Sequence, residues 1–181
     1  MWPRTPKVLV GVEERAMRAT RFLLDRAGEL TRIVLTIALG PNWSYDADDE
    51  MCQRVELEVM IFQLHLVNRL ALVKMVGGGK ARQGFMDAFL PRVEAVVPEP
   101  LQSEFQDTYD RRLALYSQYM NFSPEPGQLA EKSVFGQWSQ LILGITGVPL
   151  DEDKLDILRG HAKTMLLTID SAYTEFGVYG R

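Results

Sequence analysis

The chain is poor in the residues that most often announce chemistry. Among 181 residues it has one cysteine, Cys52, and two histidines, His65 and His161. A lone cysteine rules out an intrachain disulfide, which fits a reducing compartment. Two histidines are too few for a carboxylate-bridged di-iron bundle, which takes Glu-x-x-His from each of two helices. Here Phe62 and Leu158 stand where those glutamates belong. Nor do Cys52, His65 and His161 make a zinc site. The first two are 13 residues apart on one expected helix, roughly 20 Å at 1.5 Å per residue. No cofactor is implied.

Long uncharged apolar runs are also missing. Ile33 to Leu39 is too short to span a bilayer, and the longer run further on is broken by Glu56, Glu58, His65, Arg69 and Lys74. Met1-Trp2-Pro3-Arg4 opens without the apolar core of a signal peptide. A basic excess is absent too: the net charge of −4 argues against a general nucleic-acid binder and a polybasic membrane anchor. These absences lead to the expectation of a cytoplasmic protein that binds neither nucleic acid nor membrane.

Three short motifs fail on spacing. Gly77-Gly78-Gly79-Lys80 is followed by Ala81 and preceded by a helical pattern, whereas a P-loop needs Ser or Thr after its lysine and a strand before its glycines. Asp46, Asp48, Asp49 and Glu50 lack the central glycine and distal glutamate of an EF-hand. Ser133 and Ser139 have no nucleophile-elbow context. Cys52 follows those acids, which disfavour its thiolate, so it reads as a quiet core thiol.

What is present is a hydrophobic content of 46%, enough for one domain over 1–181 with a core of its own. Its axis is the stretch 46–75. Acidic residues open it, as suits the positive end of a helix dipole, and glycines close it. At about 100° per residue, Val55, Val59, Leu66, Leu70 and Val73 fall on one side. Leu57, Met60, Ile61, Leu64, Val67 and Ala71 fall on the other. Two polar strips separate them: Glu56, Gln63 and Lys74, and Glu58, His65 and Arg69. A surface helix has a single apolar face. Two faces imply packing on both sides, by the rest of the chain or by a second copy.

Around this axis the remaining segments read as helices. The β-branched run Lys7–Val12 suits a short extended piece. From Glu13 a helical pattern begins with Ala16, Ala19, Leu23 and Ala27, with Gly28 as a break point. Residues 32–39 fit strand or helix by propensity; with no partner strand in sight, helix is expected up to Gly40-Pro41. Lys80 to Val97 carries Pro91, which predicts a kink or two short helices. Leu101 to Met120 is amphipathic, 121–127 is the most linker-like loop, and Gln128 to Ile145 and Asp151 to Phe176 complete the set. The expected fold is all-α: a single-domain bundle of about five to seven helices around the long central one.

Two groupings are candidate sites. Glu58, His65 and Arg69 share a stripe of a helix buried on both sides, and buried ionisable groups need partners. Such a stripe lines a pocket, holds a metal with His161, or forms a structural network. Arg112 sits with Phe105, Tyr109, Tyr116 and Tyr119 on one helical face, a set that suits a partner interface or an anionic ligand, or a core face with an arginine at its edge. The first expectation is a non-enzymatic module that binds a protein partner or self-associates, as a homo-oligomer and most simply a dimer. The alternative is a small-molecule binder or enzyme whose interhelical pocket is lined by Glu58, His65, Arg69 and Arg112.

Overall fold

A computed structural model describes residues 11–46, 49–97, 99–123, 125 and 128–180, with six α-helices, one short 3-10 turn and no strand among them. The helices are α1 (Val12–Leu39), α2 (Glu50–Lys74), α3 (Gly78–Glu94), α4 (Glu99–Tyr116), α5 (Val134–Thr146) and α6 (Glu152–Glu175). The all-α bundle expected from the sequence is the fold.

Helix α2 is the axis, and α1, α3, α4, α5 and α6 all pack on it. Every residue from Leu57 to Asn68 is buried. Asp49 caps its start, accepting a hydrogen bond from the Cys52 amide at 3.0 Å, so Asp46 lies ahead of the helix. Phe62, fully buried at its middle, stacks on Trp138 of α5 with centroids 4.7 Å apart and meets Tyr116 and Phe135 edge-on. Coverage fails at one end: Val73, expected on a buried face, is 79% exposed, next to exposed Leu72. Only one side of that turn is bare: Ala71 and Met75 beside it are buried, and Lys74 pairs with Asp170 of α6.

The triple glycine starts a helix as well as ending one. Gly77 takes φ +102° and Gly78 φ +63°, a region open to glycine at little cost, and the chain reverses within two residues of Met75 to begin α3. Gly28 does not break α1, and the ambiguous 32–39 stretch is its last two turns. A mid-helix glycine costs about 1 kcal/mol against alanine, and the burial of Ala27, Thr31, Val34 and Leu35 around it outweighs that. The expected strand over 7–12 meets the described residues only at Gly11 and Val12, and Val12 is helical. Pro91 does not divide α3, because it lies in the last turn and only Arg92, Val93 and Glu94 follow it in the helix.

Helix α4 stops at Tyr116, and residues 117–119 turn away. The loop after it is tied down: Asn121 and Phe122 accept from the amides of Val134 and Phe135. Helix α5 therefore starts at Val134, capped by Ser133. Leu141 and Ile145 are only half-buried, while Ile142 and Leu143 are buried. Helices α1 and α6 run antiparallel. Lys154 donates to the Ala38 carbonyl at 2.7 Å, Tyr173 to that of Ala19 at 3.1 Å, and Arg18 to that of Phe176 at 3.0 Å. Gly177 (φ +67°) turns the chain out of α6, and Val178 and Tyr179 fold back into the core. There the Tyr179 carbonyl accepts from the Val76 amide at 3.1 Å.

Phe62→Ala is expected to destabilise the fold by about 3–5 kcal/mol, as for a large aromatic lost from a packed core. Met120→Ala, at a position 89% exposed, is expected to stay within about 0.5 kcal/mol. Urea unfolding of the two variants checks this contrast.

Candidate functional site

The two polar strips of α2 meet different neighbours. The strip of Glu58 faces α4. Glu58 is 2% exposed, and its carboxylate accepts Arg112 Nε at 3.0 and 2.8 Å and the Tyr116 hydroxyl at 2.9 Å. These are the partners a carboxylate needs to survive burial. Burial pushes the Tyr116 phenol well up from its usual range, and the adjacent Glu58 charge and hydrogen bond add to that. Tyr116 is thus held as a donor.

Glu58 and Arg112 floor a cleft of about 160 Å³ where α2, α4 and α5 converge. Leu57 and Ile145 form its apolar wall, and Arg54, Glu104, Thr108 and Arg111 ring it. Arg54 pairs with Glu50 at 2.9 Å. Arg111 donates to the Asp107 carbonyl and the Thr108 hydroxyl, both at 3.2 Å, and pairs with no carboxylate among the described residues. The cleft therefore holds a closed ion pair at its base and, at its rim, the Arg111 guanidinium and the Glu104 carboxylate, which do not pair with each other.

The stripe of Glu58, His65 and Arg69 does not converge on one site. Arg69, about three turns further along than Glu58, donates to the Tyr119 carbonyl at 2.8 Å and lies over the Phe122 ring at 5.0 Å. Burial lowers its pKa. His65 is 2% exposed, with its ring 4.9 Å from that of Tyr116 and no hydrogen-bond partner for either ring nitrogen. Burial, helped by the nearby Arg69 charge, pushes its pKa down from 6.5 to about 3. It is a neutral core histidine. His161 lies in a separate pocket between α1, α2 and α6, beside Gln63. Among the described residues no three His, Cys, Asp or Glu side chains gather as a metal site. Cys52 is buried, and burial raises its pKa.

The aromatic face expected on a partner surface is turned inward. Phe105, Tyr109 and Tyr116 are at most 6% exposed, and Phe105 stacks on Tyr109 at 6.2 Å. They serve this chain's own core, because α4 lays that face on α2. Tyr119 lies beyond the helix and contributes its carbonyl to Arg69. Sequence reasoning paired Arg112 with its own helix's aromatics and missed its ion pair with Glu58, which is 54 residues away. It also assigned no role to Gln63, whose position on the second polar strip was the available signal.

No family model, curated protein or solved structure matches this chain.

His65 gives the site a pH signature. With a folded pKa near 3 against 6.5 unfolded, its contribution is intact above pH 6.5 and is lost as pH falls toward 3. The slope is about 1.4 kcal/mol per pH unit. Relative to the parent, His65→Leu is expected to be no less stable at pH 7 and to gain steadily on acidification. Denaturant unfolding of both proteins across pH 4–7 measures the gap, and a constant gap would contradict a buried neutral ring.

Proposed function

We propose that this protein is a non-enzymatic binding module that takes a small organic anion with an apolar body in the cleft between α2, α4 and α5. The observation behind this reading is Arg111, a guanidinium without a carboxylate partner among the described residues, set above an apolar wall of Leu57 and Ile145. Glu58 and Arg112 are locked on each other and Tyr116 is held as its phenol. Such a set orients a polar group but is poorly suited to passing protons near neutral pH. At about 160 Å³ the cleft is smaller than the roughly 300 Å³ that a drug-sized ligand requires. Of the four residues first grouped as a pocket, Glu58 and Arg112 support the reading, and His65 and Arg69 lie outside the cleft.

Hexanoate and benzoate are expected to raise the thermal midpoint, and their uncharged amides are not. Ile145→Trp, which fills the cleft, and Arg111→Met, which discharges its rim, are each expected to abolish the shift. Equal shifts with the amides, or a full shift in Ile145→Trp, would overturn the reading.

Self-association is supported by a different feature. Leu72, Val73 and Val76 are 55, 79 and 60% exposed within five residues at the end of α2, an apolar cluster suited to the same cluster of a second copy across a twofold axis. Light scattering is expected to give a dimer for the parent and a monomer for Val73→Asp. A monomeric parent at micromolar concentration removes this reading and leaves the cleft untouched.

A further inference from the structure

The second polar strip of α2 opens on its own cavity. Gln63 sits at mid-helix and is 1% exposed, and its amide nitrogen has no hydrogen-bond partner. Its side chain lines a pocket of about 30 Å³ between α1, α2 and α6. That space exceeds the roughly 10–15 Å³ one water requires, and it suits a group of three or four heavy atoms. Phe22, Leu30, Met165 and Ile169 give the pocket apolar sides, and Arg26, His161, Thr164 and Thr168 supply the other polar groups. Arg26 is held over the Phe22 ring at 5.7 Å. No aspartate or glutamate lines the pocket. Amide, guanidinium, imidazole and hydroxyl all donate hydrogen bonds, so the lining matches a ligand rich in acceptors and carrying negative charge.

We propose that this pocket binds a small planar oxyanion, the carboxylate of a formate- or acetate-sized acid, with the Gln63 amide donating from the floor and Arg26 supplying the opposite charge. An unpaired amide would be a net cost in a sealed core. In a pocket lined by donors it is a recognition group, and the carboxylate oxygens are its partners. Arg26 matches the geometry, since a guanidinium presents parallel N–H groups to the two oxygens of a carboxylate.

The test is a titration of the intact chain with sodium formate and sodium acetate, at ionic strength held constant with chloride. The readout is the Gln63 side-chain amide resonances in NMR spectra. They are expected to move and saturate with both acids and to stay put with acetamide. Gln63→Leu keeps the volume and removes the donor. It is expected to fold, to be at least as stable as the parent, and to lose the thermal shift caused by acetate. Arg26→Met is the second variant, expected to weaken acetate binding at least tenfold with the Gln63 resonances still available as reporters. Resonances unmoved by either acid, movement by acetamide equal to that by acetate, or undiminished binding in Arg26→Met would each overturn the proposal. Ile145→Trp in the α2–α4–α5 cleft is expected to leave this titration unchanged, which separates its failure from failure of the cleft reading.

Discussion

The complete enclosure of α2 is the constraint the rest of the molecule answers to. Once every residue from Leu57 to Asn68 is removed from water, each polar side chain on that length must find its partners inside the protein. The chain resolves this residue by residue. Glu58 receives an arginine and a phenol from α4, and the Asn68 carbonyl receives Arg82 from α3 at 2.8 Å. Just beyond the sealed length, Arg69 finds a backbone carbonyl and a ring, and Lys74 finds Asp170 on α6 at 2.6 Å. Two groups are treated differently. His65 stays neutral beside Tyr116, and Gln63 keeps a free amide against a cavity. The surrounding helices are thus suppliers of polar partners as well as an apolar coat.

This enclosure changes how the function is read. A helix apolar on two sides has two ways of being covered, and the sequence alone leaves both open. In this fold the chain's own helices do nearly all of the covering, so the two-faced pattern is no longer a reason to expect a sister molecule. The same holds for the Phe105, Tyr109 and Tyr116 face, which is spent on the core. The self-association proposed above rests instead on the exposed Leu72, Val73 and Val76 at the end of α2. The two places proposed for ligands are those where its polar strips approach the surface.

The sequence made the backbone more legible than the site, for physical reasons. Periodicity, caps and glycine stops act over a few residues, so both ends of α6 and the C-terminal end of α2 are readable to within a residue, while α2 starts four residues after Asp46; Asp49 and Asp151 cap the two helices as acidic residues at helix starts do. Gly28 misleads because a local penalty of about 1 kcal/mol yields to packing that the local pattern does not carry, and Pro91 because it falls where α3 is already ending. Glu58 and Arg112 were both singled out, but on separate helices, and nothing in either segment says which partner the other would choose. That information lies in how α4 is laid across α2. Val73 shows the converse: the wheel puts it on one side with Leu66 and Leu70, yet it is 79% exposed while they are buried, and nothing local to the segment tells them apart.

The returning tail has a consequence for assembly. The Val76 amide, at the corner between α2 and α3, is satisfied by Tyr179, and the Tyr179 hydroxyl also reaches Asp170 at 3.3 Å. A β-carbon added at Gly180 would come within 2.8 Å of Arg15, so the same tail also lies against the opening turn of α1. One short tail therefore clasps three places at once, the start of α1, the α2–α3 corner and the end of α6, so that loosening it frees all three together.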